Sequence, residues 1–469
     1  ASEGTLFEHC YTNNPICTPA RNSLLTGKPL PGHGVYGLHD ILPSVEVLFP
    51  RRLQDLGYRT ALFGKLHVCG RIVEEERRHP NDGFDIYEWC IEASISMDSP
   101  FNGYSRWLRE QDPAFHERLR REGRKVKHIP RDLHFTRWAA ERTIDFIRSH
   151  EGEQPFFCKM SLFDPHNPYE QHPEEAEALV DVDAIPEPLP AERGPLPEGV
   201  LRERDHSYLG PRSAFDEEAI RKIRLGYYAM VAFADQEIGR VLQELEDQGL
   251  AENTVVIFCS DHGDMLGDHG LMVKGACFYD GCVRVPLLIR WPAGGARRGE
   301  RVRAPVQLHD IAATVLSAAG MSDVEIRRYM PSSVDLLPLM HDPAAAAHDY
   351  VVCAYRNSGI CDSGEPWDPH IHATMIRDGR YKLNVYHMIS GNATLPPEAG
   401  STIPGQLFDM ENDALEQDNL WGRPEHAAVQ LRLTQALLEW LHQHELTLGG
   451  RGGTSIPPAH QRIVNTITP

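Results

Sequence analysis

The sequence has little positive charge and no long apolar run. Its 469 residues carry a formal net charge of −20, because 67 acidic residues outnumber 47 lysines and arginines. A nucleic-acid-binding protein needs a basic surface, which this composition argues against. No apolar stretch reaches the roughly 18 residues that a membrane helix requires. We therefore expect no nucleic-acid partner and no membrane span, whereas an anionic small substrate is compatible with a local cationic pocket.

Disulfide chemistry is also unexpected. The ten cysteines are unevenly spaced and form no C-x-x-C pair. A chain of this length with scattered cysteines lacks the pattern of a small disulfide-rich secreted domain. The first residues, ASEGTLFEHC, show no signal peptide. We predict reduced thiols and a cytoplasmic protein.

Short apolar runs alternate with amphipathic stretches through most of the chain, which predicts an α/β fold. Buried strands are predicted within 60–67, 155–168, 253–263 and 284–292. Helices are predicted at 44–56, 132–149, 216–248 and 306–319. This alternation is typical of a large, mostly parallel sheet with helices on both faces. Polar residues that follow the strands should meet at the carboxyl edge of the sheet, where such folds bind ligands.

The pattern changes after about residue 345. Short strands surround an RDGR turn at 377–380 that favours a hairpin, and 424–445 is an amphipathic helix with a proline at its start. We predict a catalytic α/β domain over 1–345, a smaller α+β domain with an antiparallel sheet over 346–446, and an extended tail over 447–469. The Pro- and Glu-rich segment 170–214 is interpreted as a solvated surface loop.

One cysteine lies in an unusual local pattern, PICTPARNSLLTG at residues 15–27. Pro19 is suited to the first turn of a helix, which predicts Cys17 just before the helix N-terminus. A helix N-terminus stabilises a thiolate and lowers the pKa of the thiol. Arg21, one turn further on, can bind an anion at the same end. Cys17 is therefore a candidate nucleophile.

The pattern Cys-x-Pro-x-Arg followed by Thr26 and Gly27 resembles the signature of the sulfatase family. The resemblance implies that a maturation enzyme oxidises Cys17 to formylglycine, and that the hydrated aldehyde is the nucleophile. Three more stretches resemble family motifs in the expected order: GYRTALFGKLH at 57–67, FDPHNPY at 163–169 and SDHGDMLGDHGLMVKG at 260–275. They supply Lys65, His67, His166, Asp261, His262 and Lys274.

The resemblance implies an alkaline-phosphatase-like fold and hydrolysis of a small-molecule sulfate monoester. Asp261, His262 and residue 17 would ligate a divalent metal, calcium first, with manganese or magnesium as alternatives. Three cations, Arg21, Lys65 and Lys274, would hold the sulfonyl oxygens. His166 or Lys274 would protonate the departing alcohol, and His67 would help to release sulfate and regenerate the aldehyde.

Two departures from the family keep alternatives open. The first strand of the family carries two adjacent aspartates that bind the metal, but no aspartate precedes Asp40 in this sequence. We expect that strand and its aspartates upstream of Ala1; without them an inactive, sulfatase-like binding protein is the alternative. The histidine of the Asp261–His262 pair also suits a phosphonate monoester or phosphodiester hydrolase of the same superfamily. A homo-oligomer is compatible with the sequence.

Overall fold

The computed structural model describes residues 2–191, 196–205, 209–295, 297–356, 370–389 and 404–449. The strands are β1 (Thr5–Phe7), β2 (Cys10–Tyr11), β3 (Arg59–Gly64), β4 (Ile86–Trp89), β5 (Phe156–Ser161), β6 (Val256–Cys259), β7 (Arg284–Val285), β8 (Leu287–Arg290), β9 (Glu300–Val302), β10 (Val306–Gln307), β11 (Val351–Arg356), β12 (His370–Arg377), β13 (Tyr381–Ile389) and β14 (Gly405–Asp409). The helices are α1 (Cys17–Thr26), α2 (Leu30–His33), α3 (Phe49–Asp55), α4 (Arg71–Glu74), α5 (Gly103–Gln111), α6 (Pro113–Glu122), α7 (Phe135–Arg148), α8 (Glu198–Asp205), α9 (Glu217–Asp247), α10 (Asp280–Val283), α11 (Asp310–Ala318), α12 (Asp323–Tyr329), α13 (Leu337–His341) and α14 (Ala427–Gly449).

The predicted strands and helices form, and the α/β architecture with flanking helices is confirmed. The order β4–β3–β5 gives a purely parallel sheet, in which Gly64 at the end of β3 lies opposite Ser161 at the end of β5. Parallel strands have their carboxyl ends at one edge. The polar residues that follow β3 and β5 are therefore neighbours, as the sequence predicts.

Strand pairing in the rest of the α/β part is more mixed than predicted. In the order β6–β8–β1–β9, the first two pairs are antiparallel and only β1–β9 is parallel. A parallel connection usually needs a crossover helix. The chain between β6 and β8 holds the four-residue α10, a three-residue 3₁₀ turn and the two-residue β7, and otherwise forms loops. β8 therefore returns antiparallel to β6, and the single, mostly parallel sheet is replaced by several smaller sheets.

Two strands that end at the site have one unpaired edge each within the described residues. There β5 pairs only with β3, and β6 pairs only with β8. Phe258 of β6 is 44% exposed, although a phenylalanine in a central strand would normally be buried. The expected further strand, with its two aspartates, stays a prediction.

The C-terminal part contains the predicted antiparallel sheet, in the order β11–β12–β13–β14. Arg377 pairs with Lys382 across the predicted hairpin. Leu433 and Leu437 of α14 pack against this sheet in one buried cluster. The sheet adjoins the α/β part through a hydrogen bond from Ala354 N–H to the Asn13 carbonyl, 3.0 Å long. The domain boundaries stay a prediction, and the tail beyond Gly449 lies outside the described residues.

The segment 170–214 differs from the predicted solvated loop. Its described residues include three 3₁₀ turns and helix α8, and Leu196 and Val200 are buried in the same cluster as Ile16, the residue before α1. These apolar residues are spaced among prolines and glutamates without a helical or strand period, which hid their burial in the sequence. The segment therefore contributes to the packing around the site.

Two further features concern the thiols and the longer helices. Every cysteine in the part of the chain that the structure describes is unpaired. Across those same residues, no helix combines the length and the hydropathy needed to cross a bilayer.

Candidate active site

Cys17 is the first residue of α1 rather than the residue before it, one position later in the helix than predicted. The preceding turn is held by the Asn14 side chain, whose Oδ1 accepts the Ile16 N–H at 2.7 Å. Gly27 ends the helix with φ 65, and a Cβ there would lie 2.3 Å from the Met330 sulfur. These contacts hold the thiol at the helix N-terminus, where the helix dipole favours negative charge.

Cationic and protonatable side chains surround the thiol. Cys17 Sγ lies 3.0 Å from His262 Nε2 and 3.3 Å from Lys274 Nζ. Burial raises the pKa of the Cys17 thiol, but the charges of Lys274, Lys65 and His262 outweigh burial and hold this pKa well below its usual range. The position is thus built for an anionic or oxyanion-forming group, unlike that of an inert structural cysteine.

The end of β3 supplies Lys65 and His67. Gly64 permits this approach, because its φ is 111 and a Cβ there would lie 2.1 Å from the Ser161 carbonyl oxygen. Lys65 is 4% exposed, and its ammonium lies 5.4 Å from the centre of the Phe163 ring. His67 Nε2 lies 3.2 Å from Thr18 Oγ1, and burial lowers the pKa of His67 to about 4. His67 is therefore a neutral imidazole at neutral pH.

A buried glutamate that the sequence analysis missed shapes the His67 loop. The Glu74 carboxylate accepts the backbone N–H groups of His67, Val68 and Cys69 at 2.6–3.1 Å, and Trp89 Nε1–H at 2.9 Å. In the sequence it belongs to the charged run RIVEEERRH, which looks like a solvated helix face. No local signal separates it from its exposed neighbours.

The end of β5 supplies His166, which the hydrogen bonds hold in one tautomer. Nδ1 donates to the Asn167 carbonyl at 2.7 Å, which leaves the Nε2 lone pair to accept from Lys274 Nζ at 2.8 Å. Burial, reinforced by the charge of Lys274, lowers the pKa of His166 to about 3. The ring also lies against Phe163, with centroids 4.6 Å apart. His166 is therefore a neutral acceptor in this pair.

The end of β6 supplies Asp261 and His262. Arg21 Nε donates to Asp261 Oδ2 at 2.6 Å, and another nitrogen of Arg21 donates to the Lys65 carbonyl and to Ser161 Oγ. Burial raises the pKa of Asp261, but Arg21 and His262 hold it well below its usual range, so the carboxyl is ionised. Arg21 thus ties together the ends of β3, β5 and β6.

The donor set at this edge fits a divalent cation. Cys17, Asp261 and His262 each offer one ligand atom within 4.8 Å of the others. His262 Nδ1 donates to the Gly263 carbonyl at 2.9 Å, which directs the Nε2 lone pair toward Cys17. Such a hydrogen bond orients the imidazole ring of most metal-binding histidines. With Nδ1 hydrogen-bonded in this way, Nε2 is the ring nitrogen available to a cation.

All the predicted site residues lie at one edge of the fold and are linked by the contacts above. They are Cys17, Arg21, Lys65, His67, His166, Asp261, His262 and Lys274. Besides Glu74, the prediction missed Thr18 and Ser161, which contact His67 and Arg21. Thr18 lies inside the motif, and Ser161 is the last residue of a predicted strand. These two positions in the sequence could have indicated that both residues lie at the site.

The fold is alkaline-phosphatase-like. The likeness to solved structures extends over nearly the whole chain. The phosphonate monoester hydrolase of Agrobacterium radiobacter has a TM-score of 0.71 at 22% identity, over 94% of this chain and 89% of that one. At this identity, the likeness concerns the fold alone.

The sequence comparisons identify the family, which the likeness of fold does not. The family profile described as Sulfatase matches residues 1–321, so the chain belongs to the sulfatase family, whose members hydrolyse sulfate esters. An arylsulfatase of Clostridium perfringens is 29% identical over 75% of this chain and 74% of its own length. A choline-sulfatase of Rhizobium meliloti is 28% identical over 92% of this chain and 78% of its own length.

Proposed function

We propose that this enzyme cleaves a small-molecule sulfate monoester at the S–O bond, with a nucleophile made from Cys17. The observation that carries the proposal is the surrounding of Cys17: a helix N-terminus, Lys274 at 3.3 Å and His262 at 3.0 Å. A sulfonyl group bound against position 17 would meet positive charge on several sides. Fixed charges aimed at a developing oxyanion are usually the largest source of catalysis.

The proposed modification changes the chemistry of this position. A maturation enzyme would oxidise Cys17 to formylglycine, whose hydrated aldehyde supplies the oxygen nucleophile and, after sulfate has left, returns to the aldehyde. The donor set would then change from one sulfur, one oxygen and one nitrogen to two oxygens and one nitrogen. Oxygen donors suit hard cations such as calcium, manganese or magnesium. When bound, the cation would neutralise charge on the sulfonyl oxygens.

Arg21, Lys65 and His67 would have different roles, which follow from their positions. Arg21 is held by Asp261 and by the end of β5, so it would fix the geometry of the site while its charge faces the sulfonyl group. Lys65 is buried and would add a second fixed charge. His67, neutral and beside Thr18, would take the proton that leaves the hydroxyl group at position 17 when sulfate is released.

Two residues compete for the protonation of the departing alcohol, and the hydrogen bonds favour Lys274. His166 Nε2 accepts from Lys274 and therefore has no proton to give. Lys274 donates both to His166 and to position 17, so its ammonium lies between the nucleophile and the proposed leaving-group side. His166 would act by holding Lys274 in place.

A substrate panel tests the proposal. The protein, co-expressed with a formylglycine-generating enzyme, should hydrolyse an aryl sulfate faster than an aryl phosphodiester or an aryl phosphonate monoester with the same leaving group. Mass spectrometry of the peptide that contains residue 17 should detect the aldehyde. Cys17→Ala should abolish turnover while retaining the fold. A matured protein that hydrolyses none of these esters would refute the proposal and favour a binding function.

A second function, hydrolysis of phosphonate monoesters or phosphodiesters, is favoured by one observation. His262 places an imidazole at the proposed metal, and it contacts position 17 directly. Phosphonate monoester hydrolases also share the fold. Faster turnover of the phosphonate or phosphodiester than of the sulfate would establish this alternative.

A further inference from the structure

We propose a second metal site, a zinc site formed by His128, His172 and Glu177, outside the catalytic edge. Each of these side chains offers one ligand atom within 4.8 Å of the others. Two imidazoles and a carboxylate are a common ligand set for zinc. None of the three belongs to the motifs that carry the sulfatase chemistry.

Backbone pairing brings the two histidines together. His128 N–H donates to the Glu170 carbonyl at 2.7 Å, and Ile129 N–H donates to the Gln171 carbonyl at 3.2 Å. The segment after α6 therefore runs beside the segment that follows His166. The rings of His128 and His172 consequently meet edge to face, with centroids 4.9 Å apart.

Glu177 is positioned by a separate element. It lies in a 3₁₀ helix, Glu174–Leu179, whose Ala176 is buried against Ala229 and Phe233 of α9. The Glu177 side chain is 42% exposed, whereas that of His172 is 3% exposed. The cluster thus has a buried side and an opening to solvent, through which an ion can enter.

The contacts of His172 require a proton or a metal ion at its Nε2 nitrogen. Its Nδ1 donates to the Tyr169 carbonyl at 2.7 Å, so the neutral ring presents a lone pair at Nε2. That nitrogen lies 3.0 Å from Glu177 Oε1, which is also an acceptor. A proton or a metal ion must lie between two acceptors at this distance. The hydrogen bond to Tyr169 is also the orienting contact that zinc-binding histidines typically make.

The third member favours a metal over a proton. His128 Nδ1 is buried and has no hydrogen-bond partner among the described residues. A proton shared by His172 and Glu177 gives His128 no role, whereas a metal ion held by the cluster would take a ring nitrogen of His128 as its third ligand. Zinc binds nitrogen and oxygen at about 2.0–2.2 Å, so two ligands at tetrahedral angles lie roughly 3.3 Å apart. The observed His172–Glu177 distance of 3.0 Å is close to that value.

A second cluster outside the catalytic edge, His309, Asp310 and His348, provides an internal contrast. There the His309 nitrogens contact Asn13 and the Ser332 carbonyl, and the Asp310 carboxylate also accepts the backbone N–H groups of Gln307 and Val334. Protein donors and acceptors satisfy these ligand atoms without a metal. This cluster therefore supplies a matched control for the proposed zinc site.

Zinc titration of the purified protein, by competition with a chromophoric chelator, tests the proposal. Wild type should bind one zinc equivalent that both Glu177→Gln and His172→Gln lose. His348→Gln and Cys17→Ser should keep it, because their residues lie in the other two clusters. Cobalt should give a visible absorption band in wild type that Glu177→Gln lacks. Because Glu177 is partly exposed, its variant should fold, which circular dichroism checks.

The outcomes separate this site from the catalytic one. Zinc should raise the Tm of Cys17→Ser but leave that of the Cys17→Ser/Glu177→Gln double variant unchanged, since a ligand stabilises only the state that binds it. If Glu177→Gln and His172→Gln bind as much zinc as wild type, the proposal is wrong. If the bound zinc is lost only in Cys17→Ser, the ion belongs to the catalytic edge and the second site does not exist.

Discussion

Lys274 is the side chain whose replacement tests the proposed chemistry most directly. Its ammonium lies 3.3 Å from Cys17 Sγ and 2.8 Å from His166 Nε2. Lys274→Ala therefore removes a fixed charge beside the nucleophile and the proposed proton donor together. Loss of one charge-stabilising donor costs about 10²–10³ in kcat. Loss of a general acid costs about 10²–10⁴.

Esters with different leaving groups distinguish the charge of Lys274 from its role as proton donor. A nitrophenyl sulfate releases a stable phenolate that needs no proton, so Lys274→Ala should lower kcat on this ester by about 10²–10³, which is roughly 3–4 kcal/mol. An alkyl sulfate releases a strongly basic alkoxide and should lose at least about tenfold more, because its departure requires the acid. Nitrophenolate absorbance and ion chromatography of sulfate measure the two rates.

A matched control and two outcomes decide the interpretation. Lys222 is 73% exposed and pairs with Glu218 on α9, so Lys222→Ala should leave both rates unchanged. A loss below tenfold in Lys274→Ala on both esters would refute the reasoning. An equal, large loss on both esters would keep the charge role of Lys274 but contradict its role as the acid.

Three further predictions concern the loop, the pH dependence of stability and the metal. Glu74→Ala leaves four buried donors unsatisfied and should lower the free energy of unfolding by about 3–5 kcal/mol, measured by urea denaturation. Burial raises the pKa of Asp164 to about 7. The folded state then holds a proton that the unfolded state has lost, so stability should fall by about 3 kcal/mol between pH 4 and 7, and Asp164→Asn should lack this fall in urea denaturation across that range. Removal of divalent ions with a chelator should abolish ester hydrolysis, and calcium, manganese or magnesium should restore it in a rate assay.

Each of these has a control. Glu76 is the exposed neighbour of Glu74, and Glu76→Ala should change the free energy of unfolding by less than about 0.5 kcal/mol. Equal losses in the two glutamate variants would contradict the role of Glu74. Parallel pH profiles of wild type and Asp164→Asn would show that Asp164 titrates normally. Full activity after exhaustive chelation would exclude the proposed role of the cation.

The motifs identified the residues that meet at the site, but not the contacts that hold them. Cys17, Lys65, His166 and Asp261 each follow or begin an element whose type the local pattern predicted correctly. Glu74 could not be found in this way, because its burial depends on Trp89 and on the His67 loop folding over it. Likewise, Val200 is buried in a cluster with Ile16, Met265 and other residues distant from it in the chain.

The sequence by itself determined the family, the motif residues of the proposed site and the type of the strands and helices that carry them. These follow from local spacing: proline and glycine place helix ends, and apolar periodicity sets element type. The tertiary structure decided the direction of β8, the tautomer of His166 and the meeting of His128, His172 and Glu177. Those features depend on contacts between segments distant in the chain, and no local pattern encodes which lone pair faces which hydrogen.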